Sequence, residues 1–414
     1  MVVSAYSAAL TPVVRSLGGN PALNPGESDA GSFAVQLLAL GVVAVWAAAS
    51  RDRAAFHVRA AWPYLLIVAL CFASAFWSAF PFVTVRRSAS LAVCVGYGLY
   101  LHDRLGLEGV VRLYLGTVLG LAALSVLTLL VLPGVGRDSA LGYDDAMRGV
   151  FATKNAAGEA LLLATACALA LGARDGARRR RTAAGLALLL GALVLTRSAT
   201  SAGVALLVTG LGVRGWLRSP QARLLHGALV AAAVLCALFA VAVMPDAVWA
   251  VLGRDASLTG RVPLWQESWA LWERRPWFGY GYAAFWNADS PDVRYLWKII
   301  GWNAPNAHNG YMDVLLQTGL AGLALYAVLW GRVAVRAASA GRRGEAWAGR
   351  AVLLVMVVNV LLNWGEGPLP YADEFTLLVA ASLAELARGR TARPVPEAAR
   401  GAFQPGCQPG CQPG

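Results

Sequence analysis

The residue best placed to do chemistry in this sequence is His308. It follows Pro305, lies between Asn306 and Asn309, and precedes the apolar run that begins at Tyr311. A neutral imidazole at the mouth of a helix can take a proton from a hydroxyl near neutral pH, the requirement for general-base catalysis. His57, His102 and His226 lie beside basic or helix-starting positions and read as incidental. The second chemical resource is arginine. Arg261, in LTGRVPLW, stands at a helix start, where a guanidinium fork recognises phosphate oxygens in a planar, bidentate way. Arg197, in LTRSATSAG, falls between two short apolar runs. An ionisable group at bilayer depth costs at least ~2.5–3.5 kcal/mol, so Arg197 either snorkels outward or binds an anion at the end of a helix pair. Arg148 and Lys154, in MRGVFATKN, form a basic pair that could bind an anion or anchor a helix to anionic headgroups.

These residues need elements to hold them. Trp265, Trp269 and Trp272 are spaced i, i+4, i+7 after Pro263, which predicts a short helix with an indole face, lying along the bilayer surface and closed by Pro276. Eight of the fifteen tryptophans fall between Trp249 and Trp302, where a loop meets the membrane boundary. Apolar runs occur near 33–49, 62–80, 85–101, 110–132, 156–172, 183–196, 201–213, 225–244, 311–330, 351–364 and 374–387. They predict an all-α polytopic membrane protein of eleven helices, or twelve if Met1 to Val14 forms one. Arginines collect on alternate loops: 51–53, 104–112, 174–181, 214–223 and 332–350. Those loops and the C-terminus are expected in the cytoplasm, and loops 133–155 and 245–310 outside it. The expected organisation is a transmembrane domain over 1–387, with loop 245–310 roofing the site, and a disordered cytoplasmic tail over 388–414.

Composition agrees with this class. Hydrophobic residues make up 58% and charged residues 14%, too few charges for a soluble chain of 414 residues. The net charge of +12 resides in short loops, which argues against a nucleic-acid partner. Cys71, Cys94, Cys167 and Cys236 lie in apolar runs, Cys407 and Cys411 belong to a tail repeat, and no zinc spacing occurs. Residues 1–30 lack the shape of a cleavable signal peptide.

The motifs RGVFATKN (148–155), LTRSATS (195–201), LTGRVPLW with RPWFGYGYAAFW (258–286) and AHNGYMDVLLQTGLAGL (307–323) together resemble the O-antigen ligase and polymerase superfamily, and most closely its ExoQ-like branch. Thr153 departs from the histidine that such members often carry before Lys-Asn. The resemblance implies an inner-membrane glycosyltransferase that moves a glycan from undecaprenyl-pyrophosphate to an acceptor hydroxyl on the periplasmic side. It implies pyrophosphate contacts from Arg197 and Arg261, joined here by Lys154 and Arg148, and His308 as base. Asn306, Asn309 and Trp265 are the candidates on the acceptor side. Implied partners are the lipid-linked glycan, an acceptor glycan or glycolipid, membrane lipids, and chain-length-regulating and flippase proteins. No cofactor is expected. No Asp-x-Asp metal pair occurs, so fixed arginines are the expected electrophiles of an inverting, metal-independent transfer. A polymerase is favoured, and a ligase to lipid A core is the alternative. A transporter or lipid flippase would show internal repeats and charges in mid-helix, which this sequence lacks.

Overall fold

Glycine and proline decide where the apolar runs start, turn and stop. The computed structural model describes residues 30–138, 146–174, 179–217, 219–243, 260–340, 345–367, 369, 371 and 373–388. The expected N-terminal helix, residues 245–259 of the outward loop and the low-complexity tail lie outside these. Among the described residues the regular structure is helical, with one isolated bridge between Arg137 and Met147. The chain is therefore all-α. The first helices are α1 (Ala30–Ala49), α2 (Arg51–Ala60), α3 (Trp62–Ala73) and α4 (Pro81–Val131). Then come α5 (Lys154–Arg174), α6 (Arg179–Leu195), α7 (Ala199–Val213) and α8 (Pro220–Val243). The long segment after α8 carries α9 (Arg261–Glu273) and α10 (Pro291–Ile300), and α11 (Gly310–Ala340), α12 (Ala346–Leu362) and α13 (Glu374–Arg388) complete the bundle.

Several expectations need correction. Residues 51–60, read as loop, form α2, with Asp52 in its first turn and His57 and Arg59 in its last, each suited to the helix dipole. The run at 62–80 stops at Ala73, followed by a 3-10 turn over Ser74–Phe76. The crossings are also uneven. Among the described residues α4, α5 and α11 alone are long and apolar enough to span a membrane, and α2 with α3, bent by 82°, could make a fourth. Helices α6, α7 and α12 have only 15 to 17 residues.

The two runs at 85–101 and 110–132 are joined in α4 through Gly106, whose φ of 66° and ψ of 172° leave the helical region. Before the break, the Cys94 thiol meets the Asp373 carbonyl and His102 meets Glu385, so residue numbers rise in step with α13. After it, the Tyr114 hydroxyl donates to Ala160 and Ser125 accepts from the Val150 amide, so numbers run against α5. Gly106 thus reverses the chain.

Helix α11 is broken at Gly319 (φ 66°, ψ −162°). An intact helix would bond Leu320 N–H to Leu316 and Ala321 N–H to Gln317. Instead, the Leu316 and Gln317 carbonyls accept from Tyr280 and Gly281 at 2.8 and 3.0 Å. The Leu320 and Ala321 amides donate to Pro276 and Trp277 at 2.9 and 3.1 Å. The loop backbone therefore inserts into both ruptured bonds. Left unmade, each buried group would cost ~1–3 kcal/mol. The approach is close enough to require glycine: a Cβ on Gly319 would lie 2.4 Å from Trp277 backbone, and one on Gly279 2.6 Å from Leu316 O.

The bundle has two chemically different ends. At one, the Trp216 and Trp347 indoles donate to Leu169 and Ala170 at the finish of α5, close to the arginines that follow α5 and α7. Here His57 and His102 are not incidental. Their rings lie 5.2 Å apart, His102 Nε2 is 2.6 Å from Glu385, and Trp46 and Arg53 both reach Asp103. α2 and the Gly106 reversal bring these four helices together. The opposite end holds the starts of α5, α7 and α11 and the α12–α13 connection.

Gly319→Ala should destabilise the protein by at least ~1–3 kcal/mol through strained φ and backbone collision. Gly331→Ala, with nothing within 4 Å of the added Cβ, is the control and should be neutral or stabilising. Thermal unfolding in detergent micelles checks both.

Candidate active site

The loop after α8 builds its own small core. α9 buries Arg261, Leu264, Ser268 and Leu271, against Phe285, Trp286, Val293, Leu296, Met312 and Leu316. The buried face is the one carrying Leu264 and Leu271; Trp265 and Trp272 pack partly against this core, and Trp269 remains 47% exposed. The helix docks onto the first half of α11 by that apolar stripe.

This core fixes the residue before the histidine. The Ala307 carbonyl accepts from Trp265 Nε1 at 2.8 Å, and its amide donates to Asp313 Oδ1, which also takes the Trp286 indole N–H at 2.7 Å. Asn306 Oδ1 accepts the His308 amide at 2.9 Å. Asn309 Oδ1 accepts from both Tyr311 and Met312, capping α11. His308 is thereby held at φ 47°. Among the described residues three non-glycine residues have positive φ, and two of them, Arg197 and His308, are residues singled out from the sequence. Such strain persists only where the surroundings over-determine the backbone.

The partner of His308 is Glu366, which the sequence reading missed. His308 Nδ1 lies 3.3 Å from Glu366 Oε2, while Arg261 NH2 lies 3.0 Å from Oε1. The other terminal nitrogen of Arg261 donates to the Gly365 carbonyl. Glu366 is 4% exposed and His308 20%, so the carboxylate lies within and the imidazole opens outward. Burial alone would raise the Glu366 carboxyl. The His308 hydrogen bond and the Arg261 charge overcome it and hold the group below the usual carboxylate range. With Glu366 ionised, a neutral His308 ring meets it through a proton on Nδ1, which leaves the Nε2 lone pair directed away from the carboxylate.

The backbone around Glu366 is fixed as well. The Gly310 amide donates to the Asn363 and Glu366 carbonyls at 2.9 and 3.0 Å. Trp302 stands 5.9 Å from the His308 ring and 3.4 Å from where a Gly260 Cβ would be, linking the start of α9 to the histidine.

The other candidates fall into two groups. Arg197 is exposed on the α6–α7 turn. Its loop adjoins the dyad, since a Cβ on Gly365 would lie 2.7 Å from Thr200. The start of α5 adjoins the same loop, because a Cβ on Gly158 would lie 2.7 Å from Ser201 Oγ. Lys154, in the first turn of α5, is buried, and its amide donates to Asp138. Arg148 instead turns its Nε to the Val135 carbonyl. Of the residues expected on the acceptor side, Asn309 caps α11 through Oδ1 and Trp265 donates its indole N–H to the Ala307 carbonyl, so both also hold the segment that carries His308.

Known proteins resemble this chain over part of its length. Residues 184–327 match the family described as O-Antigen ligase. That region contains Arg197, Arg261 and His308 and ends before Glu366. The chain is 30% identical over 281 residues to the "Exopolysaccharide production protein ExoQ" of Rhizobium meliloti (strain 1021). The alignment covers 64% of this chain and 62% of that protein. Both findings support an ExoQ-like O-antigen ligase/polymerase family.

Because the folded Glu366 carboxyl is depressed, its ion pairs contribute stability above the unfolded carboxyl value, and that contribution is lost as pH falls through the folded value. Glu366→Gln should therefore flatten the acid side of the stability–pH profile, as measured by unfolding temperature across a pH series. An acid limb identical to wild type would separate Glu366 from that role.

Proposed function

We propose that this chain, an ExoQ-like member of the O-antigen ligase/polymerase family, polymerises exopolysaccharide or O-antigen repeats carried on undecaprenyl-pyrophosphate. The observation that carries the reading is the His308–Glu366–Arg261 array. Three segments far apart in sequence converge to set the His308 imidazole beside a fixed carboxylate at the end opposite the arginine-rich loops. By the positive-inside rule those loops face the cytoplasm, which sets the array on the periplasmic side of the inner membrane and the C-terminus in the cytoplasm.

In the proposed reaction an acceptor hydroxyl oxygen attacks the anomeric carbon of the donor glycan. Its proton passes to His308 Nε2 as the C–O bond forms. The bond from the anomeric carbon to the pyrophosphate oxygen breaks, and undecaprenyl-pyrophosphate leaves with its electron pair. A single displacement of this kind inverts the anomeric configuration. Glu366 keeps the imidazole in the tautomer with Nε2 free. Arg261 holds Glu366, and its remaining N–H groups, with Arg197 and Lys154, supply positive charge for the leaving pyrophosphate. Asn306 keeps the His308 backbone in its strained conformation.

Substitution of the base tests this reading. A positioned general base contributes ~100- to 10,000-fold, so His308→Ala and His308→Gln should both lose transfer by that order while lipid-linked donor still binds. Transfer by purified His308→Gln at near wild-type rate across pH 6 to 9 would remove the base from His308. The metal-independent claim has its own check. Turnover of the purified protein should be unchanged in excess chelator, and a loss restored by magnesium would sink it.

A further inference from the structure

The α12–α13 connection carries more than the carboxylate. Two residues before Glu366, Trp364 is 64% exposed. Its ring centroid lies 5.7 Å from that of Tyr311, at an interplanar angle of 64°. Tyr311 stands three residues after His308, and its hydroxyl is tied to the Val360 carbonyl at 2.8 Å. The two chain segments that leave the dyad therefore meet again in an aromatic pair beside it.

The exposure of Trp364 is not that of a loose loop. Its own amide bonds to Leu361, the Asn363 side chain bonds to Asn359 and to the Leu369 amide, and Gly365 is wedged against Thr200. Gly365 and Glu366 accept from Arg261 and Gly310. A backbone pinned on both sides holds the indole outward. Aromatic faces carry partial negative charge and edges partial positive charge. Tyr311 and Trp364 meet at an angle, which keeps a face of the indole open.

Resting on the transferase reading, we propose that Trp364, braced by Tyr311, is a stacking shelf for a pyranose ring of the saccharide acceptor. The slightly positive axial C–H groups of a pyranose lie flat on an indole face while its hydroxyls stay directed around the rim. A rigid aromatic ring supplies this contact at small cost in conformational entropy. Since the shelf is separated from the dyad by at most three residues on either chain, a sugar held there is held beside the base. A headgroup anchor is the competing occupant. The other flank of this end already offers such a surface, where Phe76, Phe82, Trp277 and Phe278 are 93%, 78%, 67% and 54% exposed. Trp364 is set apart from that patch by its brace to Tyr311 and its place on the carboxylate loop.

The probe is the set of oligosaccharides released from the producing strain's own exopolysaccharide by mild hydrolysis, with full-length protein in nanodiscs. Binding is read by saturation-transfer NMR and transfer by product length. Trp364→Leu should weaken oligosaccharide binding about tenfold and raise the acceptor KM in step, with the donor KM unmoved and Trp364→Phe intermediate. Equal oligosaccharide affinity in wild type and Trp364→Leu overturns the shelf, including the case where only stability in lipid changes, which identifies a membrane anchor. If Trp364→Leu does not insert, Trp364→Phe and Tyr311→Leu carry the same comparison. Loss of binding in a protein that transfers no glycan would leave the shelf standing and remove the transferase reading. Normal transfer with an unmoved acceptor KM would do the reverse.

Discussion

Two ruptured helical hydrogen bonds at Gly319 tie the site to the bundle. The carbonyls of Leu316 and Gln317 and the amides of Leu320 and Ala321 would have been partners, and the backbone of residues 276–281 takes the place of each. A break at this depth is tolerable only because every freed group is bonded again. The consequence extends beyond the break. The segment that fills it continues into Tyr282, Phe285 and Trp286, and the Trp286 indole N–H reaches Asp313 on the first half of the same helix. Asp313 in turn holds Ala307, and Ala307 precedes His308. The position of the histidine thus follows from how a helix was interrupted at Gly319, further along the chain.

The dyad is assembled from groups that would be costly alone. Glu366 is buried with Arg261, and a buried charge with its partner removed costs ~3–5 kcal/mol. Here the carboxylate meets a guanidinium on one oxygen and an imidazole on the other. That division accounts for both features of the site. The His308 hydrogen bond and the Arg261 charge together keep Glu366 ionised, and the ionised Glu366 selects the nitrogen of a neutral His308 ring that carries the proton. Arg261 is therefore first a support for the carboxylate that meets His308.

The opposite end of the molecule is held by a different polar network. Asp103 collects Trp46 and Arg53, while His102 meets Glu385. These contacts pin α1, α2, α4 and α13 to one another. Charges are thus placed at both ends of the bundle and apolar packing lies between them, as expected where ionisable groups are expensive at mid-depth.

The helical class was legible because an apolar run near 20 residues has few other uses. Arg261 and His308 were legible as candidates because a charged or titratable residue beside a proline or glycine, at the edge of such a run, is locally conspicuous. Glu366 was not, although an acid between two short apolar runs is a signal of the same kind. Its meaning depends on residues 58 and 105 positions earlier in the chain, and no local pattern encodes that pairing. In α9, too, spacing fixes which residues share a face, but the neighbour that covers a face is decided by packing, and here Leu264 and Leu271 meet α11. Asn309 and Trp265 likewise have side chains fit to bind a ligand, and only the tertiary structure shows that one oxygen caps a helix and one indole N–H meets a carbonyl, because these partners lie in backbone that local spacing does not specify.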